Sequence, residues 1–256
     1  MSFDFEAHVL TEDSAGDAHQ VIATLLKKIF LFMDSACQTQ RIQFRPLEEP
    51  RLRIATLPPR WNSSDPKDEF YLRDLGLYIA TQLLKSEPPA FVFFHFDGDT
   101  KWSAREEGVN APRFEERVRS RVRHRVRAVL AKRQEEARLE PVMARLRVLV
   151  PYYCVEAWAY QNLDQASALC LASCGAHSEL LDTWEADRAQ IDEVEQPWGS
   201  LCLGKKHNAQ LVGAGFPADA VYGAEASFFA AVESLQDCPE LLACIKATWD
   251  RDYSSS

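Results

Sequence analysis

The clearest pattern in the chain is a run of six mostly apolar residues, Phe91-Val92-Phe93-Phe94-His95-Phe96, that leads straight into Asp97-Gly98-Asp99-Thr100. A short apolar run bounded by turn residues predicts a strand buried on both faces. Residues 5–11 alternate and then turn apolar, which predicts a first strand ending at Glu12-Asp13-Ser14-Ala15-Gly16-Asp17. Ser14 or Asp17 is placed to cap a helix running to about Met33, in which Val21, Ile22, Leu25, Leu26, Ile29 and Phe30 recur at helical spacing. Residues 41–44 and 52–56 have the character of short strands, and Pro58, Pro59 and Pro66 mark a loop. Leu72, Leu75, Ile79 and Leu83 supply the apolar side of a helix over 68–85. A long helix is predicted over 113–138, and a buried strand within 142–154 delivers Val155-Glu156-Ala157-Trp158 to the start of another helix. Helices are expected over 163–190, 224–235 and 239–249, with an exposed loop over 197–217. Strands alternating with helices predict an α/β fold with a mostly parallel sheet, followed by a helical C-terminal part.

In open α/β sheets, ligands bind just outside the carboxyl ends of the strands. Asp97 and Asp99 stand at such an end, two residues apart, and two carboxylates so close are costly to hold without a cation. Hard divalent ions such as Mg²⁺ prefer this oxygen ligation. The plainer alternative is that Asp-Gly only shapes a turn. Glu12 and Glu156 also lie just past strand ends, so three strand ends carry acid, and this favours the metal.

Charge alters the picture locally. The net charge is −9, yet residues 113–133 hold nine Arg/Lys against two Glu, a local +7 that leaves −16 for the rest. Phe114, Val118, Val122, Val126 and Val129 make an apolar stripe, and Arg117, Arg119, Arg121, Arg123, Arg125 and Arg127 occupy the other sides. Solvated helices usually mix Glu with Arg for i,i+4 pairing, but no acid lies between Arg117 and Arg133. Arginine suits bidentate phosphate contacts, so this face is expected to bind a phosphate backbone or an acidic partner. Lys205 and Lys206 are weaker candidates for the same role.

Seven cysteines, odd in number and irregularly spaced, point to free thiols in a reducing compartment. No run reaches the ~18 apolar residues of a membrane helix, and the first residues lack a signal-peptide pattern. A cytoplasmic protein without membrane contact is expected. Cys170-x3-Cys174-x2-His177, with Cys202 and His207 farther on, has the residue types of a zinc site. The same spacing also puts two thiols on one helical face, where small buried cysteine is common, and that is the simpler expectation. His95 is expected to be a satisfied core histidine, and His124 to belong to the basic face.

A strand ending in Glu, a later strand ending in Asp-x-Asp and the segment Pro151-Tyr152-Tyr153-Cys154-Val155-Glu156-Ala157-Trp158 together resemble the toprim domain, the metal-binding core of topoisomerases, primases and overcoming-lysogenization-defect type nucleases. The last segment is similar to a group of bacterial toprim-like proteins, several of which sit beside ATPases in defence loci. The resemblance spans about residues 5–160. It implies a toprim-like core over 1–160 with an insertion at about 35–66, and a helical extension over 161–256 packed on the core. Glu12 matches the first toprim glutamate, Asp97 and Asp99 the Asp-x-Asp pair, and Glu156 the glutamate of the Glu-Ala-Trp segment. The chain departs from the pattern at Asp13, where the first glutamate is usually followed by Gly, so Asp13 or Asp17 is an alternative ligand.

What the resemblance implies is a Mg²⁺- or Mn²⁺-dependent nuclease acting on DNA or RNA. Asp97, Asp99 and Glu156 would hold metal, and Glu12 would complete the shell or act as general base. A partner ATPase and a homo-oligomer are the expected partners, and antiviral defence the expected setting. Two other readings stand beside it. One is a non-catalytic toprim-shaped subunit that docks through its arginine-rich helix. The other is a glycosyltransferase of the Asp-x-Asp type, which fits the aspartates but neither Glu12 nor the basic helix.

Overall fold

The computed structural model describes residues 3–12, 17–98, 108–175 and 177–250. At its centre is a four-stranded, all-parallel sheet in the order β2-β1-β3-β4. The strands are β1 Phe5–Thr11, β2 Ile42–Pro46, β3 Ala90–His95 and β4 Leu146–Leu149. β1 covers the residues that the hydrophobic pattern predicts. β1 and β3 are buried along their whole length, as expected of central parallel strands covered on both faces.

Strand alternation divides the core in two. Phe5, Ala7, Val9, Phe91 and Phe93 face helix α1 (Asp17–Met33) and the C-terminal helices. Leu10, Val92, Phe94 and Phe96 face the other way. That second layer is built between β2 and β3 from α2 (Pro50–Ala55), α3 (Pro58–Trp61) and α4 (Pro66–Leu83). Between β3 and β4 it gains α5 (Asn110–Phe114), a π-helical turn over Glu115–Arg119, α6 (Ser120–Arg133) and α7 (Leu139–Ala144). Phe94 meets Trp61 and Phe114 in this layer, with ring centroids 6.1 and 4.8 Å away. Truncating such a ring to alanine costs about 3–5 kcal/mol.

The sequence pattern misplaces three segments. Residues 52–56 lie in or just after α2, because Pro50 in the first turn presets the helical φ. Val142 belongs to α7, and the strand starts only at Leu146. Residues 197–217 hold short helices, including α11 (Pro197–Ser200) and α12 (Asn208–Leu211), and bury Leu201, Leu211, Val212 and Phe216. The basic helix is longer at its start and shorter at its end than predicted, running from Asn110 to Arg133.

After β4 come α8 (Val155–Ala159), α9 (Leu163–Ser173) and α10 (Ser178–Ala186), then α11 and α12, and finally α13 (Ala218–Gly223), α14 (Ser227–Gln236) and α15 (Pro239–Asp250). They share one apolar cluster with β1, β3 and α1. The segment 35–66 carries β2, which pairs with β1 at the sheet edge. Among the described residues, no helix is long and apolar enough to cross a membrane.

Candidate functional site

The strand order reverses between β1 and β3: from β1 the chain passes to β2 on one side, while β3 lies on the other. Connections on either side of such a point diverge and leave a crevice at the carboxyl ends of the two strands. Glu12 and Asp97 both stand at that end.

The pairing continues past the strands. The Glu12 N–H donates to the His95 carbonyl at 3.1 Å. In return, the Glu12 carboxylate accepts the Asp97 N–H, with Oε2 at 3.0 Å. Asn110 Nδ2 donates to the Asp97 carbonyl at 2.9 Å, which ties the start of α5 to the same point. The Gly98 N–H donates to the Pro151 carbonyl at 2.9 Å. A Cβ at position 98 would stand 2.7 Å from the Tyr152 carbonyl oxygen and 2.8 Å from that of Pro151. Glycine is therefore required by the close approach of the two chain segments. Asp99 and Asp13 lie outside the described residues, as does the side chain of Asp17.

His95 departs from expectation. It is buried, but neither ring nitrogen has a hydrogen-bond partner among the described residues. Its Nε2 lies 3.4 Å from Asp97 Oδ1, out of line for a hydrogen bond, and that oxygen is also without a partner. Buried polar atoms are normally satisfied, and here three atoms at one strand end make no hydrogen bond among the described residues. The spacing held this signal, since residues 95 and 97 of a strand share a face.

Glu156, in the first turn of α8, is buried at the third strand end. Its Oε1 accepts Asn208 Nδ2 at 3.1 Å and lies 3.7 Å from Lys205 Nζ. The Lys205 ammonium also sits 5.1 Å above the Trp198 ring. Cys154 joins Glu156 to the crevice electrostatically. Burial pushes its thiol well above the ordinary range, and the charges of Glu156 and Asp97 push the same way. The structure thus brings Glu12 to Asp97 directly and Lys205 to Glu156, and the Cys154 thiol feels the charges of both Glu156 and Asp97.

A cleft of about 400 Å³ opens at the ends of β1 and β2, with Thr11, His19, Glu48 and Arg53 among its walls. Burial pushes the His19 imidazole below its ordinary range, and a backbone hydrogen bond with Val9 opposes this. The sequence did not single out His19 or Arg53, because nothing in the local pattern shows that the fold brings them to one cleft.

The arginine helix finds most of its acid on other elements, with one i,i+4 pair inside it. Arg117 and Arg121 both pair with Glu69 of α4, Arg119 with Glu115, and Arg123 with Glu140 of α7. Arg125 and Arg127 are exposed and make no ion pair among the described residues. At 1.5 Å per residue they lie about 22 and 26 Å along the helix from Asn110. Arg125, with His124 and Arg73, lines a groove between α4 and α6. Lys206 is exposed and is not brought to Glu156.

No family model, curated protein or solved structure matches the chain. The fold defines a class by itself: an α/β protein with a parallel sheet whose switch-point end carries Glu12 and Asp97.

Proposed function

We propose that this chain is a toprim-like nuclease dependent on Mg²⁺ or Mn²⁺ that cleaves nucleic-acid phosphodiesters. The observation that carries this reading is the contact between Glu12 of one central strand and Asp97 of the other at the switch point. The residues present fit a hard divalent ion, because the donors are carboxylate oxygens and Asp97 Oδ1 makes no hydrogen bond among the described residues. Asp97, with Glu12 and Asp99, would hold it, and Glu156 is the acid at the next strand end.

When bound, such an ion polarises a phosphoryl oxygen and makes water acidic enough to attack at neutral pH. The protein's own groups do the rest. Glu12 fixes the backbone at Asp97 and so aims its carboxylate. His95 beneath Asp97 offers a nitrogen to take up a proton or to steady that carboxylate. Arg125 and Arg127 would hold a phosphate backbone without reading sequence; their exposure, with no ion pair among the described residues, supports this. The defence setting and the ATPase partner rest on the toprim resemblance alone.

One observation favours the non-catalytic binding subunit instead. Glu12 is engaged with a backbone N–H, and Glu156 with Asn208 and Lys205, so both acids hold the fold together. Titration of Mn²⁺ followed by electron paramagnetic resonance separates the two. The nuclease reading expects binding that Asp97→Asn weakens at least about tenfold. Equal Mn²⁺ binding by the wild type and Asp97→Asn goes against it.

A further inference from the structure

The C-terminal helices carry a second cluster of ligand-type side chains, apart from the switch-point crevice. Cys170 lies in the last turn of α9, where the chain turns back: the N–H groups of Cys174 and Gly175 both donate to the Cys170 carbonyl, at 2.8 and 2.9 Å. Gly175 has φ +67°, the left-handed conformation that glycine adopts freely at helix ends. The reversal returns His177, at the head of α10, toward the two thiols, and Cys202 arrives from the turn after α11. One ligand atom from each of Cys170, Cys174, His177 and Cys202 lies within 4.8 Å of all the others. His207 is not among them; its Nδ1 accepts the Gly204 N–H at 3.0 Å.

The structure joins Cys174 to Cys202 as a disulfide. A disulfide uses two of the four side chains and gives no reason for a third sulfur and an imidazole to crowd the same point. Yet Cys170 Sγ stands 3.4 Å from Cys202 Sγ. In a tetrahedral zinc site with Zn–S bonds of ~2.3 Å, the sulfurs lie roughly 3.8 Å apart. The observed spacing needs only small side-chain rotations to meet this.

We propose that reduced Cys170, Cys174 and Cys202 with neutral His177 bind zinc in a closed, structural site. Loading exchanges three S–H protons for three Zn–S bonds and adds one Zn–N bond, so three protons are released and no electrons move. With all four positions filled by protein, no place is left for a substrate. The ion ties the end of α9 and the head of α10 to the turn at Cys202. That turn leads directly to Lys205 and Asn208, which hold Glu156. The same four side chains therefore have a disulfide form and a metal form, and the metal form suits the reducing compartment expected from the cysteine count.

The test is metal content of the full-length protein purified with reductant and supplied with Zn²⁺. About one zinc per chain is expected, released when a thiol reagent caps the cysteines. Co²⁺ in its place is expected to give the thiolate charge-transfer bands of tetrahedral coordination. Cys170→Ser decides the matter, because Cys170 takes no part in the disulfide. It is expected to lose zinc affinity by more than about 100-fold, beyond the cost of disturbing an outer-shell partner. Cys244→Ser and Asp97→Asn are expected to keep the zinc, so this outcome is separable from that of the nuclease reading. If circular dichroism shows Cys170→Ser to be unfolded, His177→Ala replaces it. A reduced protein that takes up no zinc, or a folded variant that binds it like wild type, overturns the proposal.

Discussion

The Glu12 carboxylate accepts the backbone N–H of Asp97 at 3.0 Å, across 85 residues of sequence. The contact joins the carboxyl ends of the two central strands and fixes the backbone from which the Asp97 side chain projects. Glu12→Gln keeps an acceptor oxygen and is expected to cost less than about 1 kcal/mol. Glu12→Ala leaves the N–H without its partner and is expected to cost about 1–3 kcal/mol. Urea unfolding of both variants checks this, and equal stabilities would show that the contact contributes nothing. Both variants are expected to lose Mn²⁺ affinity.

His95 is buried, and among the described residues neither ring nitrogen makes a hydrogen bond, a destabilising arrangement in a strand that has no other polar residue. His95→Leu removes those atoms at similar volume and is expected to leave stability unchanged or raise it, by up to about 2 kcal/mol, while lowering activity. A loss of both stability and activity would assign His95 a structural role instead.

A buried charge cluster on the other side of β1 sets the acid sensitivity. Burial alone would raise the Glu6 carboxyl, but hydrogen bonds from Lys85, Arg45 and His8 outweigh it and bring the pKa from 4.5 to about 2. The folded value is the lower one. This contribution is therefore complete above about pH 4.5 and is lost as pH falls through about 2. Burial holds the His8 imidazole below its ordinary 6.5, so protonation of His8 opposes folding as pH falls below 6.5. Thermal midpoints measured between pH 7 and 3 should fall more steeply for wild type than for Glu6→Gln. Parallel profiles would remove Glu6 from the account.

The arginines of α6 are expected to separate into two groups. Arg125→Ala with Arg127→Ala should weaken duplex binding and lower the slope of log K against log salt by roughly 2, without loss of stability. Arg121→Ala should act chiefly on stability, since its guanidinium holds Glu69. An unchanged salt slope in the double variant would leave those two residues without a phosphate role.

Much of the sheet was legible because its strands are short, apolar and end in acid. β1, β3 and the places of Glu12 and Asp97 just past their ends follow from that pattern, whereas β4 ends at Leu149 and Glu156 comes later, in α8. The short run 52–56 misled because apolar periodicity over five residues does not separate a buried strand from a helix. The pairing of Arg117 and Arg121 with Glu69 was hidden because the acid lies about 50 residues away, on a helix that only the fold brings alongside. Asn208 reaches Glu156 across 52 residues, and Cys202 reaches Cys170 across 32. The first partner is set by packing, and neither spacing nor residue type announces it; the second joins two members of the cysteine–histidine set that the sequence offers as a zinc site. His95 was half legible: its place on the face of Asp97 follows from strand alternation, but its unsatisfied nitrogens are a property of the packed environment.

The most direct test of the central claim is cleavage of plasmid, single-stranded DNA and RNA with Mg²⁺, Mn²⁺ or EDTA, comparing wild type with Asp97→Asn. The account predicts cleavage that EDTA abolishes and that Asp97→Asn reduces by at least about 100-fold while remaining folded. Cleavage that survives EDTA, or is as fast in folded Asp97→Asn as in wild type, would contradict it.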